Sequence, residues 1–208
     1  GQDIEGESYE DQSGYSVSLS SEGNVVVIGS RFNDGNGTNS GHVRVFKNNN
    51  GSWNQLGQDI NGEAANDYSG HSVSISSDGN IVAIGAIYND ANGSNSGHVR
   101  IYENNNGSWV QLGQDIDGEA YNDQSGYSVS LSSSGETIAI GAPYNYGNGT
   151  YSGHVRIYNY NGSSWNQVGQ DINGEATYDY SGHSVSLSSD GNKVAIGAYQ
   201  NDANGSNS

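Results

Sequence analysis

An all-β fold, a β-propeller-type array of four-stranded antiparallel blades, is what the sequence predicts, and three observations predict it. A 56-residue unit recurs, each copy opening Gly-Gln-Asp-Ile at Gly1, Gly57, Gly113 and Gly169. Within each copy, short runs alternate apolar and polar residues at the period of two that a half-buried strand requires, and no stretch carries the 3.6-residue period of a helix. Between the runs lie clusters of Asn, Asp, Gly and Ser, the residues that make turns. The array divides into repeat 1 at 1–56, repeat 2 at 57–112, repeat 3 at 113–168 and a truncated repeat 4 at 169–208, together one repeat domain or part of a larger propeller. The coils of a β-solenoid need only about 20–30 residues each, and a plain sandwich gives no reason for such repetition.

Repeat 2 serves as the type. Val73 and Ile75 alternate with serines, which gives a half-buried first strand over residues 71–76. Asp78-Gly79 reads as a two-residue hairpin turn. Val82 and Ile84 lie in a continuous apolar run, so the second strand, residues 80–86, is fully buried. A polar loop from Tyr88 to Ser96 follows. The third strand, 97–102, sets Val99 and Ile101 on one face and His98, Arg100 and Tyr102 on the other. Asn104 to Gly107 turns the chain, and a fourth strand over 108–116 runs past the unit boundary. By the same reading residues 1–4 are the tail of a fourth strand, and the last copy is a blade without its outer strands. An open sheet edge of that kind calls for a partner, expected to be other copies of the chain or further repeats.

Only 32% of the residues are hydrophobic and 32 are glycines, so each unit buries a small apolar set against its neighbours rather than building one thick core. Six Lys and Arg against 23 Asp and Glu leave a formal charge of −17. Such a charge disfavours nucleic acid, whose phosphates need cationic partners, and anionic membrane surfaces alike. No run is long enough to insert into a membrane as a helix. The balance suits solubility in a salty or extracellular medium. There is no Cys, hence neither a disulfide framework nor a thiolate metal site. The chain also holds no Met, which reads as a segment of something longer.

Three segments of repeat 3 carry a family likeness: Ser125-Gly126-Tyr127-Ser128-Val129-Ser130, Ile140-Gly141-Ala142-Pro143 and Gly153-His154-Val155-Arg156-Ile157-Tyr158. The unit resembles the FG-GAP repeat, the propeller blade of integrin α-subunit heads and of many bacterial and algal surface proteins. The resemblance spans the chain in four copies, with Gly-Ala-Pro complete in the third. It implies a propeller fold and an extracellular or cell-surface setting. Family members often hold calcium in an Asp-rich loop between the first two strands. Here Ser77-Asp78-Gly79-Asn80 stands at that place, too short and too poor in carboxylates to cage a cation, so that site is not carried over.

One acidic cluster recurs in the loops: Asp59, Glu63 and Asp67, then Asp115, Glu119 and Asp123. These hard oxygen ligands are the candidates for Ca²⁺, the only cofactor the sequence suggests. The structural reading is that Asp67 and its equivalents make Asx-turns to the following Ser-Gly, while the Asp of Gly-Gln-Asp-Ile meets the repeated Arg44, Arg100 or Arg156. His42, His98 and His154 precede these arginines. A hydrogen-bonded strand histidine is the ordinary expectation, since zinc needs three or four converging ligands and the sequence offers one His per unit. Trp53, Trp109 and Trp165 read as packing residues between blades.

Loop aromatics mixed with Asn and Asp can stack on sugar rings, which makes Tyr88, Tyr144 and Tyr146 candidates for glycan binding. Asn-Gly-Ser or Asn-Gly-Thr occurs at Asn36, Asn50, Asn92, Asn106, Asn148, Asn161 and Asn204, each a possible N-glycosylation acceptor, although Asn-Gly is equally the preferred hairpin pair. No nucleophile elbow, phosphate loop or single gathered cluster marks a catalytic centre, so an enzyme is not expected. The function expected is a non-catalytic extracellular or cell-surface repeat protein, a structural or adhesive scaffold able to self-assemble into an oligomer or filament. The alternative is a multivalent, lectin-like glycan binder, with surface glycans or proteins as partners.

Overall fold

The computed structural model describes residues 2–202; Gly1 and residues 203–208, with the sequon at Asn204, lie outside the described residues. Four antiparallel sheets follow one another along the chain, with no helix among the described residues. The first holds β1 (Ser16–Leu19), β2 (Val25–Ser30), β3 (His42–Asn49), β4 (Ser52–Gln55) and β5 (Ile60–Asn61). The second repeats it as β6 (Ser69–Ile75), β7 (Ile81–Ala86), β8 (His98–Asn105), β9 (Ser108–Gln111) and β10 (Ile116–Asp117). The third is β11 (Ser128–Leu131), β12 (Thr137–Ala142), β13 (His154–Tyr160), β14 (Trp165–Gln167) and β15 (Ile172–Asn173). In the fourth, β16 (Ser184–Leu187) and β17 (Val194–Gly197) pair alone. The protein is a propeller-type array.

The core lies between sheets rather than within one. Val25, Val27, Val43, Val45 and Ile60 of the first sheet pack on Val73, Ile75, Val82, Ile84, Tyr102 and Trp109 of the second. Ala83, Val99, Ile101 and Ile116 meet Leu131, Ile138, Ile140, Tyr158 and Trp165 in the same way across the next gap. This follows from the sequence: one face of β8 carries Val99 and Ile101, and β7 is apolar on both faces, so each middle sheet has two surfaces to cover. Burying a residue the size of Ile84 contributes about 1.5–3 kcal/mol, so stability accumulates gap by gap.

Polar contacts lock each gap in register. Ser16 Oγ donates to the Gly70 carbonyl at 2.7 Å, Ser72 to Gly126 at 2.7 Å and Ser128 to Gly182 at 2.8 Å. A Cβ on Gly85 would collide with the Gly126 carbonyl and with Ser72 Oγ, which explains why the end of β7 reads Ile-Gly-Ala. The side-chain amide of Gln58 clasps the backbone of Trp109, donating to its carbonyl (2.8 Å) and accepting from its N–H (3.1 Å). Gln2 does the same at Trp53 and Gln114 at Trp165. Trp109 and Trp165 sit between sheets, buried, and their indole N–H groups donate back to the Leu56 and Leu112 carbonyls, whereas Trp53 on the first sheet is only partly buried.

Several expectations need correction. The continuous fourth strand over 108–116 is two pieces, β9 on the outer half of β8 and β10 on its inner half. Gly113 lies between them at φ 78°, outside the extended region, and a Cβ there would stand 2.8 Å from the Trp165 ring. The described part of residues 1–4 forms no strand. The hairpin turn is longer than two residues: Gly79 N–H bonds to the Ser76 carbonyl and Ser76 N–H to that of Ile81. The third strand continues to Asn105, because its far half pairs with β9.

Candidate functional site

The polar side chains of interest lie on the face that each of the first three sheets turns toward the start of the chain, which for the second and third sheets is the gap to the sheet before. Arg100 points from β8 toward the preceding sheet. Its guanidinium donates to the Asn61 carbonyl at 2.8 Å and lies 3.4 Å from Glu63 Oε1. Arg44 and Arg156 repeat the arrangement with Glu7 (3.5 Å) and Glu119 (3.7 Å). The arginine therefore meets the Glu that follows β5 or β10, not the Asp of Gly-Gln-Asp-Ile. The short β5 strand carries that Glu past the sheet edge and under the next sheet.

The second oxygen of each Glu faces a histidine. Glu63 Oε2 lies 3.8 Å from His98 Nδ1, Glu7 Oε2 3.7 Å from His42 Nδ1, and Glu119 Oε2 3.8 Å from His154 Nδ1. All three rings are 1% exposed, being set on β3, β8 and β13 beneath the crossing loops. A carboxylate of the following unit closes each group, giving Glu7–His42–Asp59, Glu63–His98–Asp115 and Glu119–His154–Asp171, with ligand atoms within 4.8 Å of one another. At 3.7–3.8 Å the glutamate and the ring Nδ1 are beyond hydrogen-bond reach of each other. The Nδ1 atoms of His98 and His154 are buried without a partner.

Burial, reinforced by the neighbouring arginine and opposed by the nearby aspartate, lowers the His98 and His154 imidazoles to about 4. The same burial lowers His42. Burial also pushes Glu63 and Glu119 up, against the pull of Arg100 and Arg156. The His98 and His154 rings are thus neutral near pH 7. The first group opens into a cavity of about 460 Å³ lined by Glu7, Tyr9, Asp11, Asn33, His42 and Asp59 among others.

The acidic residues singled out from sequence are therefore split. Asp59, Glu63, Asp115 and Glu119 belong to the histidine groups, and members of one loop go to different groups. Asp67 and Asp123 stand apart and buried. Asp67 accepts from Asn89 Nδ2 (3.1 Å) and from the Ala64 N–H behind it (3.2 Å), rather than capping the Ser-Gly ahead; Asp123 repeats this with Asn145 and Ala120. Sequence reasoning missed the histidines as group members. The signal was present, for His follows Glu by 35 residues and Asp follows His by 17 in all three copies.

Tyr144 and Tyr146 both contact Tyr151, at ring distances of 5.5 and 5.1 Å, and Tyr178, Tyr180 and Tyr199 extend the patch. Tyr88 is not joined to that patch by a ring contact; it pairs with Tyr68 of its own repeat at 4.9 Å. A second aromatic line crosses every gap: Tyr15, His71, Tyr127, His183 and Tyr199 follow one another at 4.5–5.2 Å. Of the described sequons, Asn36, Asn92 and Asn148 donate their side-chain amides across the gaps, to the carbonyls of Gly62, Gly118 and Gly174. Asn50, Asn106 and Asn161 lie exposed at hairpin tips.

The chain shares its fold with solved propeller-like structures. A protein named as a 6-phosphogluconolactonase from Bacteroides uniformis matches with a TM-score of 0.58 and 13% identity, over 90% of this chain and 48% of its own. One of the same name from Bacteroides fragilis gives 0.55 and 11%, over 86% and 40%. Hydrazine synthase of Kuenenia stuttgartiensis gives 0.52 and 15%, over 86% and 57%. The chain thus spans about half the length of these structures, and at such identities the likeness is one of fold. No curated protein matches it. The model of the FG-GAP repeat matches at residues 6–46, 61–102 and 173–208, more than half of the sequence. With the Ser-Gly and Ile-Gly-Ala contacts that couple its sheets, the chain belongs to the FG-GAP repeat family.

Proposed function

We propose that the chain is a non-catalytic extracellular or cell-surface scaffold, structural or adhesive, whose end faces are completed by other copies of itself or by further repeats. The observation that carries this reading is the sameness of the gaps: Ser16–Gly70, Ser72–Gly126 and Ser128–Gly182 are one contact made three times. Catalysis gathers unlike groups at one place, whereas here each polar group recurs unit by unit. Both end faces expose what the inner gaps bury. Val17 and Leu19 are 62% and 56% exposed, against 9% and 8% for Val73 and Ile75 one unit later. Ala195 is exposed where Ala83 and Ala139 are wholly buried. The acidic charge and the family's usual occurrence in surface proteins support an extracellular place.

Sedimentation equilibrium tests the assembly. Association should rise with concentration and fall away in Leu19→Glu, with the circular dichroism spectrum unchanged. A chain that stays monomeric at every concentration, or a variant that associates as the parent does, contradicts self-assembly.

One observation favours the glycan-binding alternative. Tyr146, Tyr178 and Tyr199 are 47%, 52% and 50% exposed in one patch with Tyr144 and Tyr151. A glycan array decides it: saccharide binding that is lost in Tyr144→Ala and Tyr146→Ala supports the lectin reading, and an array without signal removes it.

A further inference from the structure

We infer that the three Glu–His–Asp groups are zinc sites, one on the outer face of the first sheet and one in each of the next two gaps, each holding the ion by a glutamate oxygen, a histidine Nδ1 and an aspartate oxygen. The distances are the first ground. The Glu-to-His separations of 3.7–3.8 Å are too long for a hydrogen bond. They are near the roughly 3.4 Å edge of a tetrahedron whose metal–ligand bonds are about 2.0–2.1 Å. An ion at the centre would draw inward half-exposed carboxylates whose oxygens now lie within 4.8 Å of the other ligand atoms.

Burial is the second ground, and it is independent of the acidic residues. His98 and His154 are each 1% exposed, and in both the Nδ1 aimed at the glutamate has no hydrogen-bond partner. A buried polar nitrogen left unpaired costs free energy, and the same nitrogen accounts for itself as a ligand.

Charge and donor type choose the ion. A neutral imidazole with two carboxylates offers two negative charges to a dication. Arg100 and its equivalents hold the other oxygen of each glutamate, which fixes Oε1 and leaves Oε2 turned toward the ring. Calcium takes six to eight oxygens, and a buried imidazole at the centre of the group serves it poorly. Imidazole with carboxylate suits zinc. The middle site has one donor more: Asp117 Oδ1, buried and without a partner, lies 4.0 Å from His98 Nδ1 where the first and third repeats carry Asn61 and Asn173. It should bind most tightly.

Isothermal titration of the chelator-stripped full chain with zinc chloride is the test, with X-ray absorption to read the ligand shell. The expected result is saturable binding of three ions per chain, an imidazole nitrogen in the shell, and no displacement by excess calcium. Histidine variants can fail to fold, since the rings are core residues. Glu7→Gln, Glu63→Gln and Glu119→Gln change half-exposed side chains and keep the fold open to a circular dichroism check. Each should remove one ion from the stoichiometry or weaken it by more than the about 10–100-fold that losing an outer partner costs. An absence of zinc binding, a stoichiometry unmoved by all three substitutions, a shell without imidazole, or displacement by calcium would each overturn the assignment.

Discussion

Asn92 spends its side-chain amide on the Gly118 carbonyl at 3.0 Å, and Asn36 and Asn148 do likewise across their own gaps. A sugar on that nitrogen would break a contact that joins two units. Asn50, Asn106 and Asn161 are free of this constraint at exposed tips. Produced in a eukaryotic secretory host, the protein should carry glycan at these three and none at Asn36, Asn92 or Asn148, as peptide mass mapping will show. His71 supplies a second test at this scale. Its ring lies between Tyr15 and Tyr127, and burial first, then the charges of Arg31 and His183, lower it to about 4. The unfolded chain takes up that proton near 6.5 and the folded one only near 4. The stability that His71 contributes should therefore be full above pH 6.5, decline as pH falls to about 4, and level below, its share of the loss being about 3 kcal/mol. Urea melts across this range should show a shallower decline in His71→Tyr, which installs the residue already present at 15 and 127.

At the scale of the element, the contact between β7 and the start of the next unit decides how closely sheets approach. Gly85→Ala places a methyl against the Gly126 carbonyl and Ser72 Oγ. Neither backbone can yield without opening the gap, so the variant should lose about 1–3 kcal/mol in denaturant melts; an unchanged midpoint would show that the gap is loose. The alternation of Val73 and Ile75 and the apolar run at Val82 and Ile84 made both hairpin strands legible in sequence, since burial of one face or two writes itself into the pattern. The break between β9 and β10 was not legible, because Gly113 sits where Trp165 of the next sheet needs room. Arg100 was read as a structural ion-pair residue, but its choice of Glu63 over Asp59 depends on where β5 ends. The histidine groups were hidden for a like reason. Their three members come from separate elements and meet only when one sheet is laid upon the next.

Across the whole molecule, the packing that holds the array together lies in the gaps. The gaps between the first and second and the second and third sheets each combine an apolar layer, a Ser-to-Gly hydrogen bond, a Gln clasp on a Trp backbone and an Arg–Glu pair. The second and third sheets are flanked on both sides, whereas β1 and the β16–β17 pair are covered on one side among the described residues. Such an array loses protection from its ends inward. Amide hydrogen exchange of the full chain, followed by mass spectrometry in dilute and in concentrated solution, tests this most directly. The predicted result is slow exchange in β7, β8, β12 and β13 at all concentrations, with fast exchange in β1, β16 and β17 that slows as the chains associate. Equal protection of β16–β17 and β7–β8 in dilute solution would contradict the account.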